Sequence, residues 1–483
     1  MGRFSAELTA IMSTREISLA EVIRDTGVSR TAFFKYKSGS RLPSDVKTVE
    51  RLADVLYLNY DEKKRFTEAY LIDQIGEYKY RGMMAVEKLL TTPESFLRAR
   101  KEEMPLSEGS PDETRRILNG KLSVTMKIIS IIEEGLQKGD VTVFETISSD
   151  DMFRIIRQVK RRHHEHELFH IMAMNGSGNA SVADRLHNVE RLGSIIRTLC
   201  SCDGYRPFYY YASLSTLRTL GILQTNMILT EDGVLCYAED YSSAAVYREP
   251  ERVAIYENIA AGIRGMASPY AEKMKFMDGV DQETKFYEYS GVRYSFFPGL
   301  CINAILRKSD DILERNVRHD IEGFEEFLTG YEKYVKTVQT SLAQNNGKHH
   351  YIISGPGLHF NYANGVVNDF PREAIIPLDR ARSKKLMRRF RKISDECDFR
   401  VLDDDRFPGD NSICLEAIPG RAMIILAPPG ELTLQIIIIR EQSTAALIFD
   451  YLSSLYETRA LTGAEREAWY DKMLAEDTSK NRT

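Results

Sequence analysis

Residues 27–43 read GVSRTAFFKYKSGSRLP and decide the fold of the N-terminal part of the chain. Glycine closes helices because it adopts the left-handed conformation without strain, so Gly27 is expected to end one helix. Ser29 is a good N-cap for the next helix, and Gly39 stops that helix. The stretch therefore predicts a helix end, a tight turn and a short second helix.

The short helix is predicted to have one apolar face and one exposed face. Phe33 and Tyr36 lie three residues apart, which places both on the side toward the core. The outward positions carry basic, small or aromatic side chains: Arg30, Thr31, Phe34 and Lys35. For Phe34 two interpretations stay open, an exposed contact with a partner or a core position in a slightly rotated helix.

The flanking sequence predicts further helices around this pair. Apolar residues recur at helical spacing on both sides of it, and Ser18 is a second good N-cap. The helices are expected at residues 4–14, 19–26, 30–37, 45–58 and 61–75, with one more at 76–91.

Together these features resemble the Cro/repressor-type (XRE) helix-turn-helix family over about residues 4–70. The resemblance is carried by caps, glycines and apolar positions in the family's order: Ser18, Val22, Ile23, Gly27, Val28, Ser29, Phe33, Gly39, Arg41, Pro43, Leu52, Ala53 and Leu56. Two positions depart from it. Leu19 stands where members often carry Gln, and Lys37 where a Glu is common.

The resemblance implies a set of DNA contacts. It puts side chains of the short helix at base edges in the major groove, namely Arg30, Thr31, Phe34 and Lys35. It assigns phosphate contacts to Ser18, Lys37, Ser38, Arg41 and Lys47, and Ser29 completes the set. It also implies a homodimer on a two-fold operator of double-stranded DNA, with half-sites about 34–36 Å apart.

The distribution of charge along the sequence is consistent with a local site for phosphate groups. The chain has a net charge of −5, so phosphate attraction requires a local excess of cations. Residues 27–51 supply one, because Asp45 and Glu50 face six basic residues there: Arg30, Lys35, Lys37, Arg41, Lys47 and Arg51.

The whole chain is predicted to be multidomain, with an all-α five-helix domain followed by a large mixed α/β body. Helical and strand patterns alternate after residue 112, which favours layered α/β structure, although no repeat is visible at residue level. The expected divisions are a helix-turn-helix domain at 1–75, a helix and linker at 76–111, α/β halves at 112–275 and 276–460, and a tail at 461–483. Within the body we expect one long helix at 112–138 and a strand at 285–289.

Six scattered cysteines, the absence of an apolar leader and the shortness of the apolar run at 434–439 indicate a cytoplasmic protein that contacts no membrane. No sequence motif calls for a cofactor or a metal, and we expect none.

One motif favours a rival interpretation. Residues 166–170 read HELFH, and on a helix His166 and His170 would face one side and bind zinc, with Glu167 as general base. In a strand the two histidines would lie about 13 Å apart, too far for one ion. The apolar run after Glu167 favours the strand.

The sequence therefore predicts a sequence-specific DNA-binding transcriptional regulator, not an enzyme, whose body dimerises or senses a small-molecule or peptide effector. The alternatives are a helix-turn-helix-linked zinc metallopeptidase using His166, Glu167 and His170, and a protein-interaction scaffold with a DNA-binding head.

Overall fold

The computed structural model describes most of the 483 residues. The described ranges are 2–15, 17–91, 117–146, 149–175, 188, 190–212, 226–274, 284–307, 310–320, 324–344, 347–370, 374–397, 399–409, 413–426 and 435–480. The expected linker at 92–111 lies outside them.

The chain forms two compact units, Met1–Met84 and Ala85–Thr483. The division falls inside a helix, α6 (Glu77–Thr91), which begins in the first unit and ends in the second. The sequence had placed the division near residues 92–111 and had split the second unit in two.

The first unit consists of α1–α5 and the start of α6. Its helices are α1 (Arg3–Thr14), α2 (Leu19–Thr26), α3 (Arg30–Ser38), α4 (Val46–Val55) and α5 (Tyr60–Ile75). They enclose an apolar core of their own, in which Phe4, Leu8, Val22, Leu52 and Phe66 are fully buried.

Most of these helix starts are fixed by local hydrogen bonds. Ser18, Ser29 and Asp45 each accept a backbone N–H of the first turn that follows them. Asn59 forms a reciprocal capping box with Glu62. The start of α1 is held from a distance, because Asp73 of α5 accepts from the backbone N–H groups of Arg3 and Phe4 at 3.0 and 2.9 Å.

The second unit contains both helices and strands, so the expected mixed α/β body is present. Its first sheet has the order β1-β7-β6-β5-β2-β3-β4-β8. The strands are β1 (Ile117–Asn119), β2 (Val141–Glu145), β3 (Leu168–Met174), β4 (Tyr205–Tyr211), β5 (Asn226–Thr230), β6 (Gly233–Tyr237), β7 (Ser243–Tyr247) and β8 (Ser268–Pro269). The helices of this half are α7 (Lys121–Leu136), α8 (Asp150–Lys160), α9 (Leu192–Ser201) and α10 (Pro250–Met266).

The second sheet has the order β12-β11-β10-β13-β14-β15-β9. Its strands are β9 (Ala271–Met274), β10 (Arg293–Phe297), β11 (His349–Ser354), β12 (Phe399–Leu402), β13 (Cys414–Ile418), β14 (Arg421–Leu426) and β15 (Gln435–Ile439). The helices are α11 (Ile312–Arg315), α12 (Phe324–Ala343), α13 (Gly355–Asn364), α14 (Arg380–Glu396), α15 (Gln442–Thr458) and α16 (Gly463–Lys480).

The two sheets repeat one topology. Strands β9 to β15 follow each other across the second sheet in the same order as β1 to β7 across the first. The registers also correspond, since Ile228, Val143, His170 and Pro207 form one row of the first sheet and Glu416, Ser295, Tyr351 and Phe399 the same row of the second. The sequence indicated two halves, but this correspondence is visible only in strand pairing.

Several element predictions were wrong where packing overrode local pattern. Residues 117–119, expected to be helical, pair as β1 with β7. Residues 284–287 are helical where a strand was expected at 285–289, and they bury Phe286 and Tyr287. The expected tail at 461–483 is mostly α16, which seats Tyr470, fully buried, in the core of this half.

The two glycines that end α2 and α3 allow a paired test of how these helix ends contribute to the stability of the first unit. Gly27 and Gly39 have φ of 71° and 73°, but a Cβ on Gly39 would also lie 2.9 Å from Ser5 Oγ, whereas one on Gly27 meets nothing within 4 Å. We expect Gly27→Ala to lower local stability by about 1 kcal/mol and Gly39→Ala by more, because only the second adds a clash to the left-handed strain. Amide hydrogen exchange of residues 28–40 measures the difference, and equal effects would contradict the assignment of the Ser5 contact.

Candidate functional site

The first candidate site is the exposed side of α3 with the loop that follows it. Ser18 Oγ accepts from Glu21 N at 3.2 Å and starts α2, and Gly27 ends that helix in the left-handed conformation. Val28 is buried between the helices, and Ser29 Oγ accepts from Ala32 N at 3.2 Å to start α3. The turn thus fixes where α3 begins and which of its sides faces the core.

The two faces of α3 separate as the spacing predicted. Phe33 and Tyr36 are 1% and 6% exposed and belong to the core of the first unit. Arg30, Thr31, Phe34 and Lys35 are exposed.

Phe34 is exposed rather than buried. The ring is 48% exposed, and the guanidinium carbon of Arg30 lies 5.8 Å from its centroid. Of the two interpretations left open, the core position is therefore wrong. An exposed aromatic ring beside a guanidinium group gives α3 a flat apolar contact next to a cation.

The cations of this surface are exposed and have no carboxylate partner in the part of the chain that the structure describes. In the described ranges, Arg30, Lys35, Arg41 and Lys47 are exposed and form no ion pair. We call these four residues the α3 cation surface. Their charge is available to an external anion, because no carboxylate among the described residues pairs with it.

Two other predicted contact residues, Ser38 and Lys37, are partly engaged within the unit itself. Ser38 Oγ donates to Lys35 O at 3.1 Å, and Lys37 is half-buried, so both lie at the edge of the surface. Leu19, at a position where the family often has Gln, packs against the core of the unit and offers no polar contact.

The HELFH motif does not form a metal site. His166 and Glu167 precede β3, and His170 lies inside that strand, so the two histidines do not share a helix face. Glu167 instead accepts from Arg206, at 2.7 Å from Nη2. In the part of the chain that the structure describes, no three His, Cys, Asp or Glu side chains are grouped to hold a metal ion. The zinc-peptidase alternative is therefore wrong.

His170 belongs to a buried hydrogen-bond network that the sequence did not reveal. Its Nε2 lies 2.9 Å from Glu145 Oε2 and its Nδ1 lies 3.0 Å from the hydroxyl of Tyr205. Tyr237 donates to the other oxygen of Glu145 at 3.0 Å. Burial, followed by the nearby Glu145 carboxylate, raises the pKa of both tyrosines far above 10, so they act as donors. These four side chains are all buried, which suits the network to hold β2, β3, β4 and β6 together.

The second half buries a charged group at the corresponding place. Arg293 is fully buried, its Nη2 donates to the hydroxyl of Tyr351 at 2.8 Å, and its guanidinium carbon lies 3.9 Å from the ring centroid of Tyr287. Glu416 accepts from the Tyr287 hydroxyl at 3.3 Å, and burial raises the pKa of that carboxyl group. Both halves thus stabilise their central strands with enclosed polar groups.

A second basic stretch, in α14, differs from the α3 cation surface. Arg389 and Lys385 both bond to the carboxylate of Asp310, at 3.0 Å from Arg389 Nη2 and 3.2 Å from Lys385. Arg391 is paired with Glu467 and Asp471, each at 2.6 Å. The charges of Lys385, Arg389 and Arg391 are neutralised within the second unit, which distinguishes these three residues from the α3 cation surface.

No described helix combines the length and the apolar character that a bilayer-spanning segment needs.

Comparisons with known proteins identify no family. No protein-family model matches the chain, and no curated protein matches it. A solved structure, that of phosphatidylserine synthase from Haemophilus influenzae Rd KW20, matches over 76% of this chain and 94% of that chain, with 9% identity and a TM-score of 0.24. So low a TM-score supports no argument about the activity of this chain.

The expected function of the whole chain is corrected by these findings. The sequence predicted a sequence-specific transcriptional regulator with a sensing body. The comparisons support no regulator, since no family model and no curated relative matches and the synthase structure has too low a TM-score to indicate an activity. We withdraw that function, and we transfer no activity from the synthase in its place.

The charge pairing of α14 leads to a pH-dependent prediction. The hydrogen bond from Arg389 is the main cause that lowers the pKa of Asp310 from 3.8 to about 2. A native pKa below the unfolded one adds stability that is fully present above about pH 4 and is lost as the pH falls through about 2. We expect Asp310→Asn to lower the free energy of unfolding of the second unit by about 2 kcal/mol at neutral pH, with the loss shrinking below about pH 4.

Urea unfolding followed by Trp469 fluorescence measures this effect, because Trp469 packs against the core of the same half. Glu396→Gln is the matched control, since its pairing with Lys392 spans 3.8 Å between exposed side chains and should contribute under about 0.5 kcal/mol. A pH-independent loss in Asp310→Asn would contradict the electrostatic explanation.

Proposed function

We propose that residues 1–84 form a helix-turn-helix unit of the Cro/repressor type and that the partner of this unit is double-stranded DNA. The proposal concerns one unit and one binding partner. It assigns neither sequence specificity nor regulation of transcription, and it gives no role to the second unit. The observation that carries it is the α3 cation surface, four exposed cations on and beside a short, firmly capped helix.

The shape of α3 supports this partner. An α-helix fits the major groove of B-form DNA, which is about 12 Å wide. The nine-residue α3 starts at a capped N-terminus and ends at Gly39, so it presents a short rod with Arg30, Thr31, Phe34 and Lys35 on its free side.

The cations after α3 suit the phosphate backbone. Arg41 lies in the loop that follows α3, and Lys47 lies in the first turn of α4. Tyr70 donates to the carbonyl of Pro43 at 3.3 Å and thereby holds this loop against the core of the unit. Phosphate contacts from such fixed positions set the orientation of α3 on the duplex.

The expected homodimer and the expected effector stay predictions.

The proposal predicts a salt-dependent affinity that falls when the α3 cation surface loses charge. Each cation that neutralises a phosphate contributes about 0.9 to the slope of log K against log salt concentration. We expect Lys35→Ala and Arg41→Ala each to weaken binding of the full-length protein to a random duplex of about 30 base pairs and to reduce that slope by about 1. Fluorescence anisotropy of a labelled duplex over a salt series measures both quantities.

The matched control is Lys64→Ala, which removes the same charge from an exposed position on α5. It should leave affinity and slope nearly unchanged. If the three variants lose affinity equally, the binding is a general charge effect and α3 is not the contact. If the wild-type protein binds no duplex at low salt, DNA is not the partner of this unit.

A further inference from the structure

Successive side chains of the segment 403–409, which follows β12, belong to two different sites, a cavity and a cluster of ion pairs. Asp403 and Asp405 line a cavity of about 460 Å³. Asp404 and Arg406 instead take part in the ion pairs that hold Glu87 of α6. Whatever occupies the cavity therefore touches residues that alternate along the chain with those that anchor α6 in the second unit.

The cavity lies where parallel strands end. It opens beyond the carboxyl ends of β11 and β12 and is bordered by α13 and α16. Part of its wall is formed where two backbone segments approach each other closely. A Cβ on Gly355 would lie 3.1 Å from Leu402 O, and one on Gly409 would lie 2.8 Å from Pro356 O. Crevices at the carboxyl ends of parallel strands are the usual ligand sites of α/β sheets, and this volume is typical of small-molecule sites.

The lining favours a positively charged organic ligand. Asp403 and Asp405 are exposed to the cavity and form no ion pair within the described ranges, and Lys472 is the one Lys or Arg in the lining. The indole of Trp469 and the ring of Phe360 supply flat apolar surface. Carboxylates accept hydrogen bonds from ammonium groups, and an indole face attracts cations.

The neighbouring anchor of α6 is a closed charge cluster. Glu87 is 7% exposed and accepts from Arg406 at 2.7 Å, from Arg459 at 2.8 Å and from the Tyr451 hydroxyl at 3.2 Å. Both arginines also bond to Asp404. Although burial opposes its charge, hydrogen bonds from Arg406 and Arg459 hold the pKa of Asp404 well below its usual range. Asp404 is therefore ionised at neutral pH, and a shift of residues 404–406 would disturb the cluster.

We propose that the 403–409 cavity binds a small organic ammonium ion through Asp403, Asp405 and Trp469, and that the bound ion steadies the anchor of α6 through Asp404 and Arg406. The site is separate from the α3 cation surface, so it stands whether or not the first unit binds DNA. The bound ion restrains the segment from one side while Glu87 and Arg459 restrain it from the other.

Trp469 makes the site directly observable, because it is the single tryptophan among the 483 residues. The full-length protein is titrated with spermidine and with tetramethylammonium while Trp469 emission is followed, at constant ionic strength set with sodium chloride. We expect a saturable change with either cation and none with inorganic phosphate or glucose. Asp403→Asn and Asp405→Asn should each weaken the apparent affinity by roughly tenfold, a typical effect of one lost charged contact.

Two further variants make the result decisive. Glu251→Gln removes one negative charge from an exposed position on α10 and should change nothing. Lys472→Ala removes the opposing cation and should strengthen binding, an effect that a damaged fold cannot produce. Hydrogen exchange of residues 85–91 should slow when either ammonium ion is bound.

Three outcomes would overturn the inference. If the titration saturates with neither cation, the cavity does not bind organic ammonium ions and the proposal is wrong. Saturation by phosphate or glucose instead assigns the wrong class of ligand. If a cation binds but amide hydrogen exchange of residues 85–91 is unchanged, the bound ion does not stabilise the anchor of α6.

Discussion

The carboxylate of Glu87, held by Arg406 and Arg459, fixes the last turns of the one helix that belongs to both units. The Glu87 side chain is 9% exposed, but that of Arg406 is 58% exposed, so solvent screens part of this attraction. Val86, Leu89 and Leu90 of the same helix are buried, which adds apolar contacts to the charged ones. The N-terminal end of α6 is held separately, since Glu77 pairs with Arg3 at 2.6 Å.

The contrast between α3 and α14 shows what separates a candidate binding surface from an ordinary charged face. Both helices are basic in sequence. In α14, Lys385, Arg389 and Arg391 pair with Asp310, Glu467 and Asp471, which neutralises these three charges inside the second unit. The cations of α3 face solvent. Since phosphate binding depends on releasing counterions from exposed cations, pairing rather than count decides which helix suits a polyanion.

The N-terminal helices were predictable because local contacts decide their ends. Ser18, Ser29 and Gly27 act within three or four residues of their own position, so spacing alone located α2 and α3. Residues 117–119 and 284–287 were missed because their conformation depends on remote partners. The first pair with β7, far along the chain, and the second bury Phe286 and Tyr287 in a core built from many segments.

The HELFH motif illustrates the same limit from the functional side. Histidine and glutamate are residue types that bind zinc. Whether His166 and His170 could bind one ion depended on whether the segment is a helix or a strand. The run after Glu167 favoured a strand, and the parallel pairing of β3 with β2 and β4 places His170 between Glu145 and Tyr205. Neither partner is near His170 in the chain, so no spacing rule could have found the network.

The sequence by itself determined the order and caps of the first helices, the exposed side of α3 and the local excess of positive charge. These follow from periodicity and from groups close together in the chain. The tertiary structure decided which cations stay unpaired, that Phe34 is exposed, and that two sheets repeat one topology without a visible repeat of residues. It also brought Asp403, Asp405 and Trp469 to one cavity beside the anchor of α6. Such groupings arise from strand pairing and helix packing over tens to hundreds of residues, and local sequence does not encode those distances.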